Sequence, residues 1–354
     1  SYSSAYMMTH WPAESICGIL NSQPMGFYSP RLVLNEARRK GIRVLPPDLH
    51  LSDEGFTVED SEAGSSEAGT ALRPGLSYCR GLSEKAIKSI LYEREKKPFA
   101  GIEDLYQRTL VERDALENLI RAGFLDFCGA EDSGSRGNRR ELLARTRSLP
   151  AKRRRRKRES QPELPHPGNW WLHREGRDAD SVSVLPSPLS ELERWESAAL
   201  GLDLRRQPLD AYDEVLGGLG VTPARDLRSL PHGTRAVAAG VLECLQAPPT
   251  RSGALVHFLL TEDPSGLLQS TIFEHTYRRY GHVLYESAAY LLNGRVEQDR
   301  RRGFSFVVEY VEDLGSLLPG RRNGKVASAP PAVSARGAVG QPHERKRRGG
   351  QRAG

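Results

Sequence analysis

Two periodicities divide the chain. In the first, apolar residues return every three or four positions, the spacing of one helix face. Residues 1–20, SYSSAYMMTHWPAESICGIL, predict two helices broken at Trp11-Pro12, with Pro12 in the first turn of the second. Arg31 to Lys40 predicts an amphipathic helix through Leu32, Val33, Leu34 and Ala37, stopped by Gly41. Ile42 to Leu45 then predicts a short strand closed by Pro46-Pro47-Asp48, and Glu59 to Thr70, EDSEAGSSEAGT, a solvated acidic loop. Helical spacing resumes at Glu84 with Ala86, Ile87, Ile90 and Leu91, continues from Pro98 to Gln107, and recurs from Glu112 to Gly123 through Leu116, Leu119 and Ile120. A later helix, Ser190 to Leu204, has Ser190 as N-cap and Leu192, Trp195, Ala199 and Leu200 on its apolar side.

The second periodicity is that of strands. Five runs stand out: Arg235 to Leu245, Leu255 to Thr261, Leu267 to Phe273, Ala288 to Glu297 and Phe304 to Val311. Turn residues separate them, and a helical stretch, Glu274 to Leu284, lies between the third and the fourth. Three strands, a helix and two strands is the order of the OB fold, a small barrel that holds single strands with a basic groove and aromatic platforms. Arg235, His257 and Arg295 are the candidates for the nucleic-acid backbone, and Phe258, Phe304 and Phe306 for base stacking. Alternation puts Phe304, Phe306, Val308 and Tyr310 on one side of the last strand, which is the core side.

Elsewhere both patterns fade. From Glu131 to Val184 the chain gains Arg, Ser, Gly and Pro, and residues 152–158, KRRRRKR, are seven consecutive cations. Such a block repels itself, and serves either as a polyanion-binding run or as a solvated linker. Trp170-Trp171 lies within this stretch, and the tail from Asn323 to Gly354 is Gly-, Ala-, Pro- and Arg-rich. The net charge of +6 and pI near 9.2 suit a polyanionic partner. Cys17, Cys79, Cys128 and Cys244 form no CxxC pair, which argues against a zinc site or disulfide framework and for a reducing compartment. No apolar run approaches a membrane span, so a cytoplasmic, nucleoid-associated protein is expected. The chain starts Ser1-Tyr2-Ser3, with its first methionine, Met7, already inside a helical pattern, so a fragment is expected.

The densest chemical signal is Arg73 to Arg94, RPGLSYCRGLSEKAIKSILYER. A turn, Gly81-Leu82-Ser83, leads into a helix capped by Ser83. The first amides of such a helix have no intrahelical partner, and a glycine just before them lets a phosphate approach the backbone. Arg80, Lys85 and Lys88 flank that cradle and can neutralise phosphates without reading a base. The segment resembles a helix-hairpin-helix element, with Ser83 where the second glycine of the Gly-apolar-Gly hairpin usually stands.

A broader resemblance follows from NSQPMGFYSP at 21–30, RLVLNEARRKGIRVLPPDL at 31–49 and ALRPGLSYCRGLSEKAIKSIL at 71–91, in that order. Together they resemble the carboxy-terminal third of bacterial C-family DNA polymerase alpha subunits, and the QPMGFYSP phrase resembles the error-prone branch. The resemblance implies a multidomain chain: an all-α helix-hairpin-helix unit and an all-β OB-fold barrel joined by a basic flexible linker. Its expected divisions are the helical end of a fingers region with a short strand at 1–58, the hairpin unit at 71–130, a basic disordered linker at 131–184, a helical connector at 185–232, the barrel at 233–315 and a disordered basic tail at 316–354. Gln207-Pro208-Leu209-Asp210 faintly suggests a sliding-clamp peptide, although the family has a structural connector there.

The resemblance also implies DNA partners, both primer-template duplex and single-stranded template, together with a RecA-like accessory factor and an inactive Y-family-like protein in damage-induced translesion synthesis. Nucleotidyl transfer in such enzymes uses a carboxylate-held magnesium pair in an upstream palm. Here the acidic pairs Asp53-Glu54 and Glu59-Asp60 fall in predicted loops, so no catalytic residue, metal site or cofactor is expected in this chain. The competing expectation is a free-standing, non-enzymatic repair protein that binds single- and double-stranded DNA.

Overall fold

A computed structural model describes residues 2–24, 28–60, 70–128, 139–150, 190–249, 253, 255–299 and 303–318. The expected linker run 152–158, Trp170-Trp171 and the tail from Asn323 lie outside the described residues. The amino-terminal part is helical. Helices α1 (Tyr2–His10) and α2 (Pro12–Asn21) meet at Trp11, and α2 buries Ala13, Ile16, Cys17 and Leu20. Helix α3 (Pro30–Arg39) is capped by Ser29, whose hydroxyl accepts from the Leu32 amide, and it buries Leu32, Leu34, Asn35 and Ala37. Its polar residues therefore do not all face water.

Strand β1 (Arg43–Val44) pairs in parallel with β3 (Thr70–Arg73), which pairs antiparallel with β2 (Thr57–Asp60). The acidic stretch expected as one loop thus begins and ends in strands. Glu59 and Asp60 are in β2, and Glu59 forms a two-pronged pair with the buried Arg73, which also donates to the Pro46 carbonyl. A four-residue strand has too few positions for alternation to show, and only the tertiary partner defines it.

The hairpin unit follows: a 3-10 turn (Leu76–Tyr78), α4 (Glu84–Lys96), α5 (Ile102–Arg108) and α6 (Arg113–Ala122). Two later helices pack onto it. Helix α7 (Arg139–Thr146) lies inside the stretch expected to be linker; Arg139, 5% exposed, is held by Asp126, Glu196 and the Arg121 carbonyl. Its weak periodicity hid it, since α7 is fastened by one buried arginine more than by an apolar stripe. Helix α8 (Glu191–Leu200), with a full capping box at Ser190 and Glu193, buries Ala199 and Leu200 in the same core. The expected connector therefore divides, its first helix joining the hairpin unit. Leu202 and Leu204 follow it into that core, and from Leu209 on the connector packs against the barrel.

The barrel comprises β4 (Arg235–Gln246), β5 (Val256–Asp263), β6 (Gly266–Phe273), β7 (Ala289–Asp299) and β8 (Gly303–Asp313), closed in the order β4-β5-β6-β8-β7. All neighbours are antiparallel except β6 and β8, which pair only at Ser270–Phe306 and Thr271–Val307. Short helices α9 (Asp213–Leu216) and α10 (Ala224–Leu227) precede β4, and helix α11 (Glu274–Glu286) covers the interior with Thr276, Tyr280 and Leu284. A second 3-10 turn (Pro208–Tyr212) lays Leu209 and Tyr212 on the outer side of β4 and β7, against Ala239, Val241, Ala289 and Leu291. Leu209 is 4% exposed, so the clamp-like peptide is used inside the fold.

One expectation is overturned by burial. His257 is 2% exposed, stacks on Tyr277 at 3.7 Å and leaves Nδ1 without a partner, so it packs inside and does not reach the open side of the barrel. Alternation along β5 dictates this, because His257 shares its side with the buried Leu259 and Thr261.

Helix α3 joins the two parts. Arg31 pairs with Asp203 and Glu243, Arg39 with Glu262 at 2.9 Å, and Asn35 donates to Glu262 at 2.8 Å. Burial pushes the Glu262 carboxyl up despite Arg31, Arg39 and Asn35. Glu262→Ala would leave the buried Asn35 amide without its acceptor and the half-buried Arg39 with Glu36 alone, and is expected to destabilise the chain by about 1–3 kcal/mol. Urea denaturation measures this, and a loss below about 1 kcal/mol would remove the clamp from the account.

Burial also lowers the His257 pKa. The unfolded chain then binds the proton more readily, so this contribution to stability is full above about 6.5 and is lost as pH falls through the folded value. His257→Phe should lose less stability than the wild type between neutral and acid pH in thermal melts; parallel losses would contradict the assignment.

Candidate nucleic-acid interface

The turn at Gly81-Leu82-Ser83 is formed and is braced by three hydrogen bonds. Gly81 sits at φ 77°, a conformation that side chains other than glycine's rarely adopt, and the turn is closed by the Leu82 amide donating to the Cys79 carbonyl. The Arg80 amide donates to the Ala199 carbonyl at 2.9 Å, and Asn118 donates to the Arg80 carbonyl at 2.9 Å. Leu82 packs partly into the core, while Gly81 and Ser83 remain exposed. The tip is anchored by one apolar side chain, and its backbone is left to solvent.

Ser83 caps α4, its hydroxyl accepting from the Ala86 amide at 3.3 Å. Helix geometry leaves the amides of Glu84 and Lys85 without an intrahelical acceptor, next to the exposed glycine. Lys85 and Lys88 are exposed on the first turns. Lys88 bonds Glu84, which lowers the Glu84 pKa and raises that of Lys88. Such an exposed i,i+4 pair is screened by solvent and adds little, so a phosphate can take the ammonium over at small cost. Arg80 is different. It is half-buried against Gly201, its pKa is lowered by burial alone, and no carboxylate among the described residues pairs with it. A partly desolvated cation without a counter-ion gains most from an arriving anion.

On the barrel, Arg235 and Arg295 are direct partners on β4 and β7, both exposed. Like charges opposite one another repel, and here Glu309 lies 3.6 Å from Arg235 and Glu297 2.9 Å from Arg295. Hydrogen-bonded registration runs from Arg295 to Val307, then Thr271, then Phe258, so these residues form one row that winds across four strands. The half-buried Phe258 stands at the far end of the row from the arginines. Phe306 is fully buried, and the partly buried Phe304 packs on the core with the Arg228 guanidinium 5.7 Å from its ring. His257, as described, is turned inward.

The structure thus gathers Arg80, Gly81, Leu82, Ser83, Lys85 and Lys88 at one tip and brings Arg235 beside Arg295. It separates Phe258 from that pair. The brace from Ala199 and Asn118 escaped the sequence reading, because neither residue type signals contact with a turn so distant in the chain.

Comparison with known proteins adds to this geometry. A helix-hairpin-helix motif matches residues 41–135. The error-prone DNA polymerase of Symbiobacterium thermophilum is 34% identical over 328 residues, which cover 86% of this chain and 30% of that protein. That of Methylococcus capsulatus is 30% identical over 336 residues, covering 90% of this chain and 29% of that protein. Likeness to solved structures is slight: asparaginyl-tRNA synthetase from Pyrococcus horikoshii shares 16% identity over 26% of this chain and 22% of that one, with a TM-score of 0.23. The chain spans about 30% of the length of the polymerases it matches. By sequence it is similar to a segment of the error-prone DNA polymerases, and it carries a helix-hairpin-helix motif.

Proposed function

We propose that the chain is the DNA-holding, carboxy-terminal part of an error-prone DNA polymerase that acts in damage-induced translesion synthesis and repair. The hairpin grips the duplex backbone through Arg80, the amides after Gly81, Lys85 and Lys88. The barrel, taken as an OB fold, guides the single-stranded template through Arg235, Arg295 and Phe258. Nucleotidyl transfer on carboxylate-held Mg2+ belongs to a palm outside this sequence, and a RecA-like factor and an inactive Y-family-like protein are the proposed partners at the nucleoid.

The observation that carries this reading is the tip itself: an exposed glycine at positive φ, directly before a capped helix start, with a half-buried Arg80 that has no carboxylate partner among the described residues. Backbone amides and the helix dipole bind phosphate without regard to base, as a polymerase must.

A combined Lys85→Ala and Lys88→Ala change should weaken duplex binding and reduce the log-log salt slope by up to about 1.8, two phosphates at about 0.9 each. Fluorescence anisotropy over a salt series measures it, and an unchanged slope would take the hairpin out of the interface. Arg235→Ala with Arg295→Ala should weaken single-strand binding while sparing blunt duplex; equal loss on both would count against the division of labour.

A further inference from the structure

Residues 76–93 and 105–122 repeat one another at a constant offset of 29. Leu76 corresponds to Leu105, Leu82 to Val111, Ala86 to Ala115, Ile87 to Leu116 and Ile90 to Leu119; all are buried except the partly buried Leu82. The N-cap Ser83 corresponds to Glu112, N-cap of α6. The repeat is also reciprocal in space. Asn118, six residues into its helix from the cap, donates to the Arg80 carbonyl of the first turn, and the equivalent Ser89 accepts from the Leu110 amide of the second at 3.1 Å. Each turn therefore abuts the middle of the other's helix, so the two helix starts are neighbours.

On their outer sides the two copies have opposite chemistry. Lys85 corresponds to the exposed Asp114, and Lys88 to the half-buried Glu117, which pairs with Arg121 at 2.8 Å as Lys88 pairs with Glu84. Gly81 corresponds to Leu110, which is 62% exposed, and no non-glycine residue among those described has positive φ. The second turn thus lacks the left-handed residue, carries a bulky side chain where a phosphate would approach, and presents an exposed carboxylate and a paired one where the first presents an exposed ammonium and a paired one. Arg113 is turned away to the Leu149 carbonyl at 2.5 Å.

We propose that 105–122 is a charge-inverted copy of the hairpin that faces the same duplex and stands off from it, so that this unit holds one backbone strand rather than two. This rests on the first hairpin gripping duplex DNA. Repulsion at the second tip keeps the neighbouring strand out of contact, and the bound duplex can pivot about the single strand that is held.

The test uses the whole 354-residue chain and short blunt duplexes in an anisotropy salt titration. Asp114→Lys with Glu117→Lys transplants the charges of the first tip and should tighten binding and steepen the salt slope by up to about 1.8. Asp114→Asn with Glu117→Gln should tighten it less and leave the slope unchanged. If the lysine pair leaves affinity and slope at wild-type values, the single-strand grip is wrong. A null result for Lys85→Ala with Lys88→Ala would instead strike the first hairpin, so the two failures are distinguishable.

Discussion

Glu262 is a carboxylate, 3% exposed, on a strand of the barrel, and its partners Asn35 and Arg39 come from a helix of the other half of the molecule. Burying a charge is costly unless it is fully met by partners of opposite sign, and the geometry in which it is met is narrow. Arg31 repeats the arrangement with Glu243 and Asp203. An apolar contact of the same area would tolerate sliding, whereas these pairs tolerate little. The orientation of the hairpin tip relative to the barrel row follows from this constraint, and everything said about how DNA is held presupposes it.

In the proposed function, two ways of holding a polyanion stand on that frame. At the hairpin the ligand meets backbone amides and a helix dipole, groups that cannot move away and carry no base preference. On the barrel it meets long arginines already paired with exposed carboxylates, a contact that is adjustable and easily exchanged. The first suits a duplex of regular spacing, the second a strand whose path varies.

Much of this was written in the chain. The five strands and the intervening helix were legible because alternation and turn residues agree over long runs, and the observed strands differ from the expected bounds by one or two residues. The hairpin was legible because Gly81 and Ser83 each have one evident backbone purpose. What was not legible depends on partners far away: β2 and β3 define each other, α7 is fixed by Arg139 reaching Asp126 and Glu196, and the turn is braced by Asn118 and Ala199. His257 was misjudged by residue type. Its place in the alternation of β5, beside Leu259 and Thr261, was the better guide.

The parallel junction of β6 and β8 is paired at only two positions, against eight between β5 and β6. It is reinforced by the Thr271–Ser305 hydroxyl bond at 2.9 Å and by Thr276 of α11 donating to the Val308 carbonyl at 3.2 Å. With so few ladder bonds, it is where the barrel would part first in local fluctuations. Thr271 and Val307 lie on that seam, between the arginine pair and Phe258. Breathing there would lengthen or shorten the track between cation and aromatic ring while cover and clamp stay in place, which in the proposed role lets the barrel accommodate strands of unequal bulk.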